Sequence, residues 1–475
     1  MAHAEAPVAH APAKEIVAGL IARARAAQKI FERSTQAELD EAATAVGWAI
    51  MNPEHNKALA ELAVKDTGLG VIADKIAKNQ RKTLGLLRDL QGAKTTGVIA
   101  EYPERGITEI ARPVGVVAAV VPSTNPAATP ANNIINALKC GNAVVLAPSP
   151  KGHSTSTLLL EYVHRELERI GAPVDLVQQL PAPVTRELTT ELMKQADLVV
   201  VTGSQNNVRA GYSSGKPALG VGTGNVAVIV DDTADCADAA NKIMASKIFD
   251  NATSCSSENA VVIHDRVYEQ MMSALAQEGG ALLTPAEKET LRAAMFPGGK
   301  LSPAITAQPV RKICAVAGLT RPGLVNARCL MVEETGAGRE HPFSGEKLSP
   351  VLAVYRARDF DHAFDIVRAI YDYQGNGHSC GIYTENEAHV RRLAHEMTVA
   401  RVIVKQAHTF ATGGGFDNGM PFSLSMGCGT WGGNSFTDNL NYRHFMNITR
   451  IVRTIPKNKP SEEDIFGAFW KKYGK

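Results

Sequence analysis

The chain reads Val114-Gly-Val-Val-Ala-Ala-Val-Val121 and then at once Pro122-Ser-Thr-Asn-Pro126. An apolar run without polar alternation suits a strand covered on both faces, and prolines that cannot donate to a ladder mark where it stops. Working outward, strand and helix patterns take turns: strands at 143–146, 174–180 and 198–201, helices at 154–170 and near 187–195. That alternation predicts a parallel sheet with helices on both faces. Ligands of such sheets collect at the carboxyl ends of the strands. Three of those ends carry Ser123 and Thr124, then Pro148, then Thr202, Gly203 and Ser204, which predicts a nucleotide cleft there.

Before the sheet, helical spacing runs over 13–31, and a second helix opens with Thr35 and Glu38 in the pattern of a capping box. Leu39, Ala42, Ala43, Val46 and Ile50 then share one face of it. Helices continue to about Leu90 and read as scaffold rather than site, while residues 1–12, rich in Ala, Pro and His, read as a loose end. Residues 101–112 alternate polar and apolar, as an exposed ribbon does. Further on, Gly220-Val-Gly-Thr-Gly224 looks like a dinucleotide fingerprint, but it precedes the strand Val226-Ala-Val-Ile-Val230 where a fingerprint follows one. Gly220 and Gly222 therefore read as a tight backbone path close to a ligand or another strand.

A second alternating unit extends from Val226 to about Lys405, with strands at 260–263, 350–355 and 401–405. The glycine-dense stretch 407–433 reads as a site-lining loop, and 446–452 as a strand for edge pairing or oligomer contact. The expected fold is α/β: one parallel-sheet domain over 1–225, a second over 226–410, and a segment 411–475 that shares an oligomerisation role with the 101–112 ribbon.

With 475 residues the chain exceeds one ordinary core. Its 50 basic and 48 acidic residues leave a charge of +2, so nothing in the balance points to nucleic acid or a membrane surface. Seven scattered cysteines without a Cys-x-x-Cys pair argue against a disulfide framework and a zinc site, and for a reducing cytoplasm. No apolar run approaches the roughly 20 residues that cross a bilayer. Residues 1–15 lack a basic start followed by an apolar run, so no secretory signal is expected.

The chemistry centres on Phe249-Asp-Asn-Ala-Thr-Ser-Cys255-Ser-Ser-Glu-Asn259, between a helical pattern and the strand at 260–263. Ser254, Ser256 and Ser257 are too small to cover Cys255, so its thiol is free to face a cleft. There a thiolate attacks a carbonyl to give a thiohemiacetal. Against this stands the habit of free cysteine to pack as a small buried hydrophobe.

These residues resemble the aldehyde dehydrogenases, and within them the branch that passes the acyl group to coenzyme A. The resemblance lies in Val121-Pro-Ser-Thr-Asn-Pro126, Ser213-Ser-Gly-Lys-Pro217, Gly220-Val-Gly-Thr-Gly-Asn225, Phe249-Asp-Asn251 with Cys255, Gly377-His-Ser379 and Gly427-Cys-Gly-Thr-Trp-Gly-Gly-Asn-Ser435. It implies that Cys255 is the nucleophile and carries a thioester, and that Asn125 with the Cys255 amide stabilises the oxyanion. It further implies that Glu346 holds the nicotinamide ribose and that Ser204 faces the pyrophosphate. Hydrolytic members carry a glutamate that activates water, but residues 198–230 contain no Asp or Glu and Ala218 stands at its place. Coenzyme A is therefore the implied acceptor.

In place of the hydrolytic Lys-Pro-Ser run stands Ala147-Pro-Ser-Pro-Lys151, so Lys151 or His153 is implied to meet the adenosine ribose or its 2'-phosphate. NADP is implied before NAD. Phe416-Asp-Asn-Gly-Met-Pro-Phe422 and Asn441-Tyr-Arg-His444 are most similar to members acting on a small anionic aldehyde, sulfoacetaldehyde, ahead of acetaldehyde, propionaldehyde and succinate semialdehyde. Arg443 or His444 would then hold the sulfonate. A homodimer or homotetramer is expected.

Overall fold

The computed structural model describes residues 12–475, and the loose end expected at the start lies outside the described residues. Helices α1 (Ala13–Phe31), α2 (Gln36–Met51), α3 (Pro53–Thr67) and α4 (Ile72–Leu90) come first. The capping box of Thr35 and Glu38 starts α2, and Gly68 at φ 68° ends α3. Strands β1 (Gly97–Tyr102) and β2 (Ile107–Pro113) then form an antiparallel ribbon.

The apolar run at 116–120 becomes β3 (Val116–Val120), buried at every residue. Around it are built α5 (Ala128–Lys139), β4 (Ala143–Ala147), α6 (His153–Arg169), β5 (Val177–Gln179), α7 (Arg186–Gln195), β6 (Leu198–Thr202), α8 (Gln205–Tyr212) and β7 (Ala218–Val221). The sheet is parallel, in the order β5-β4-β3-β6-β7. Val117, Val144, Val145 and Val199 are fully buried beneath the helices, each worth about 1.5–3 kcal/mol of burial.

The second sheet contains β8 (Val226–Val230), β9 (Glu258–His264), β10 (Gly280–Leu282), β11 (Cys329–Glu333), β12 (Val351–Ala357), β13 (Cys380–Tyr383) and β14 (Val402–Val404), with α9 (Cys236–Ile248) between β8 and β9. It too is parallel, in the order β10-β11-β12-β9-β8-β13-β14. β10, β11 and β13 add strands beyond those expected. The last strand, β15 (Met446–Val452), pairs antiparallel with β2 and completes a three-stranded sheet with the ribbon.

Only residues 222–225 separate β7 from β8. The carboxyl end of the first sheet therefore leads straight to the amino end of the second. At Gly224 the backbone runs so close to the Cys255 turn that a Cβ would lie 2.2 Å from the Cys255 carbonyl oxygen, and glycine is the residue that fits. Among the described residues no helix is long and apolar enough to cross a membrane.

Candidate active site

Cys255 occupies a turn between α9 and β9, closed by the Ser257 amide donating to the Ser254 carbonyl at 3.0 Å. The approach to it is strained: Asp250, Asn251 and Ala252 have φ of 52°, 52° and 59°. Such residues cost about 1–3 kcal/mol each and persist only where the surroundings fix them. Here α4 does so. The Asp250 carboxylate accepts from Lys78 at 2.6 Å, Lys75 at 3.1 Å, the Thr253 hydroxyl at 2.7 Å and the Val71 amide at 2.7 Å. In return the Asp250 amide donates to Asp74 at 2.7 Å.

A cavity of about 310 Å³ opens beside the thiol. It brings together Ser123, Thr124 and Asn125 from the end of β3, Thr202, Gly203 and Ser204 from the end of β6, Gly222, Cys255 and Glu346. A second cleft of about 510 Å³ shares Ser123 and residues 202–204 and continues to Pro148 and Arg186. Ser204 caps the N-terminus of α8, its hydroxyl accepting from the Asn207 amide at 3.3 Å. No Asp or Glu lines that second cleft.

Four expected features are placed by the structure as follows. Lys151 sits on the exposed face of the turn Pro150–Gly152, and His153 is held back toward β5 with Nε2 at 3.2 Å from the Leu180 carbonyl; neither lines a cleft. Gly220 lies on the close path beside another strand, paired with Val201 of β6, and packs against α8, where a Cβ would lie 2.7 Å from Val208 and 2.9 Å from Tyr212. Arg443 and His444 belong to the turn Tyr442–Phe445 that leads into β15 and stay away from the cavity. Arg443 donates to the Tyr442 hydroxyl at 3.4 Å, and His444 accepts from the Asn441 amide at 3.1 Å.

The fourth concerns α4, which is part of the site and not scaffold alone. Its buried face carries Lys75, Lys78, Asn79 and Lys82 while Ile72 and Leu84 are exposed, and Lys78, Arg81 and Lys82 line the cavity. Lysines spaced three and four apart on one face of the helix were the available signal. The glycine-rich loop completes the wall with Thr409, Ser423, Leu424 and Met426. Phe422 clamps that loop to α4, its ring lying where a Cβ on Gly85 would be at 2.3 Å.

Burial pushes the Cys255 thiol up to about 12, and the neighbouring Glu346 carboxyl pushes the same way, against the Arg401 charge. Burial also raises Glu346 to about 8, although the Gly224 amide donates to it. Burial thus favours the protonated form of both groups. Lys78 donates to Asn125 Oδ1 at 2.9 Å. An ammonium can only donate, so the Asn125 Nδ2 is left as a donor for another oxygen.

Glu346 is the one carboxyl group lining the cavity among the described residues. Ala218 lies in β7 with its carbonyl accepting from the Ser435 hydroxyl at 2.9 Å. Cavity and cleft fit a nicotinamide dinucleotide: they follow the strand ends and pass a helix start.

Residues 4–315 match the aldehyde dehydrogenase family. The chain is 59% identical over 463 residues to the acylating sulfoacetaldehyde dehydrogenase of Cupriavidus necator, covering 98% of this chain and 94% of that one. It is 43% identical to the acylating sulfoacetaldehyde dehydrogenase of Bilophila wadsworthia, covering 95% and 98% of the two chains. The crystal structure of an acetylating aldehyde dehydrogenase from Geobacillus thermoglucosidasius superposes with a TM-score of 0.90 at 34% identity, over 94% of this chain and 98% of that one. A half-buried cysteine at the junction of two parallel sheets, beside a dinucleotide cleft, agrees with these relatives: the chain is a member of the aldehyde dehydrogenase family, in its coenzyme A-acylating branch.

Proposed function

We propose that the chain oxidises sulfoacetaldehyde to sulfoacetyl-coenzyme A. The observation that carries the choice of acceptor is the cavity wall, where among the described residues Glu346 is the one carboxyl group and burial raises it to about 8. In this reading the Cys255 thiolate adds to the aldehyde carbon, and the resulting oxyanion is met by the Asn125 amide and the Cys255 main-chain N–H. Glu346, Ser204 and Gly222 would hold an oxidised nicotinamide cofactor, which would supply the acceptor for the hydride of that carbon. The thioester left on Cys255 is attacked by the thiol of coenzyme A, and the Cys255 thiolate departs. A thiol needs less help than water because far more of it is ionised at neutral pH.

The second cleft favours NADP: it has no carboxylate to repel a 2'-phosphate, and Arg186 lies on its wall. The substrate rests on the two sulfoacetaldehyde relatives and on the cations of α4. A homodimer or homotetramer is supported by the outer edge of β15, where Val452 is 73% exposed, and by the helix Glu462–Tyr473, which turns Ile465, Phe466, Phe469 and Tyr473 outward. Seven free cysteines support a cytoplasmic setting.

The test is a panel of sulfoacetaldehyde, propionaldehyde and succinate semialdehyde with coenzyme A and either nucleotide, followed by mass analysis of the product. The highest kcat/KM is expected for sulfoacetaldehyde with NADP, giving sulfoacetyl-coenzyme A. A higher value for either rival removes the substrate assignment.

A further inference from the structure

Helix α4 turns charge inward, and among the described residues two of its cations form no ion pair, Asp417 and Asp89 acting on Arg81 and Lys82 only from further off. Lys78 is neutralised by Asp250. Arg81 and Lys82 meet only main-chain oxygens: Arg81 Nη1 donates to the Phe410 carbonyl at 3.0 Å and to Gly414 at 3.2 Å, and Lys82 Nζ to Ser423 at 3.0 Å and to Gly413. No carboxylate among the described residues lies within ion-pair distance of either. Lys82 is 6% exposed. Burial, with Arg81 and Lys78 beside it, pushes the Lys82 ammonium well below its usual range, a cost that an anion bound between Arg81 and Lys82 would offset. Two hydroxyls add to it: Thr129 Oγ1 and Thr409 Oγ1 are buried, belong to residues lining the same cavity, and have no hydrogen-bond partner.

We infer that Arg81, Lys82 and Thr409, with Thr129, form the subsite for the sulfonate of the aldehyde. This rests on the sulfoacetaldehyde reading above. The donors match the group. Arg81 keeps its Nε and Nη2 hydrogens, Lys82 keeps one hydrogen, and the hydroxyls supply the rest, against three sulfonate oxygens. The Phe410 ring lies 5.1 Å from the Arg81 guanidinium and its carbonyl holds Nη1, so the fork is fixed beside Thr409 before substrate arrives. The sulfur of sulfoacetaldehyde is two bonds from the carbonyl carbon. Cys255 and this subsite line one cavity, which allows both ends of so short a molecule to be held together. Propionaldehyde leaves the cations unpaired, and succinate semialdehyde carries its charge one carbon further out.

The test compares kcat/KM for sulfoacetaldehyde and propionaldehyde in the wild type, Arg81→Gln, Thr409→Val and, as a control away from the cavity, Arg443→Ala, with thermal unfolding as the check of fold. Ethanesulfonate serves as a competitive probe. Arg81→Gln is expected to lower the sulfoacetaldehyde to propionaldehyde ratio about 100-fold, chiefly through KM, and to raise the ethanesulfonate inhibition constant in parallel. Thr409→Val is expected to lower the ratio about 5-fold, and Arg443→Ala to leave it unchanged. Equal losses for both aldehydes in Arg81→Gln and Thr409→Val, or a fallen ratio in Arg443→Ala, overturn the assignment. If the wild type itself prefers propionaldehyde, the substrate reading fails, and ethanesulfonate then decides the subsite: inhibition weakened in Arg81→Gln upholds an anion site, and no inhibition of the wild type refutes it.

Discussion

The two parallel sheets meet the same cavity with opposite ends. The first presents the carboxyl ends of β3 and β6, where Asn125 and Ser204 sit and where α8 begins. The second presents the amino ends of β8, β9 and β12, preceded by Gly224, Cys255 and Glu346. The link is the four-residue passage 222–225, too short to let the chain reach the other end of the new sheet. The chemical consequence follows from the helices. A helix start favours negative charge, and the first sheet offers one at Ser204. Cys255 follows the C-terminal end of α9, and burial raises its thiol to about 12. The nucleotide half must therefore activate the nucleophile half.

The largest effect separates the halves. Cys255→Ala is expected to lower turnover about 10⁵-fold or more while the thermal shift on adding NADP is retained. Loss of nucleotide binding in that variant would erase the division of labour. Next, Asn125→Ala is expected to lower kcat about 10²- to 10³-fold, with little change in thermal stability. An unchanged kcat would leave the oxyanion without its donor from the first sheet.

How much of this was legible in the sequence depends on what each segment buries. β3, β4, β6 and β8 bury apolar residues on both faces, so their runs announced them. The turn before Cys255 was visible through its motif, yet the reason for Asp250 was not, because its partners Lys75 and Lys78 lie more than 170 residues earlier. α4 passed as scaffold because it packs Leu86 and Leu90 into the core, and apolar periodicity does not show that the lysines on the same helix are buried against a cavity. Arg443 and His444 drew notice as basic residues in a matched motif, but a motif does not reveal direction, and their turn faces away. The short strands β10 and β13 have only three and four residues, too few for a period to show.

The tie between α4 and the nucleophile turn can be cut directly. Asp250→Asn keeps the shape, removes the charge opposite Lys75 and Lys78, and is expected to cost about 3 kcal/mol, read as a lowered unfolding temperature together with reduced activity. A variant as stable as the wild type would mean that the left-handed turn holds itself.

A smaller and finer test concerns protonation. With the thiol raised by burial to about 12, the fraction ionised increases with pH through the whole neutral and mildly alkaline range. Alkylation at Cys255, followed by mass analysis of its peptide, is expected to quicken about tenfold per pH unit from 7 to 10 without levelling off. With oxidised nucleotide present, the positive charge favours the thiolate and the curve should move to lower pH. Levelling below pH 9 without nucleotide would show that the second sheet activates its own cysteine.

The choice of sulfur over water as the acceptor is tested most directly by a single rapid-mixing experiment with sulfoacetaldehyde and NADP, first without coenzyme A. The account predicts a burst of NADPH equal to the concentration of Cys255, a stalled acyl-enzyme visible by intact mass, and steady turnover to the acyl thioester only when coenzyme A is added. Continued NADPH formation with free sulfoacetate and no coenzyme A would contradict it.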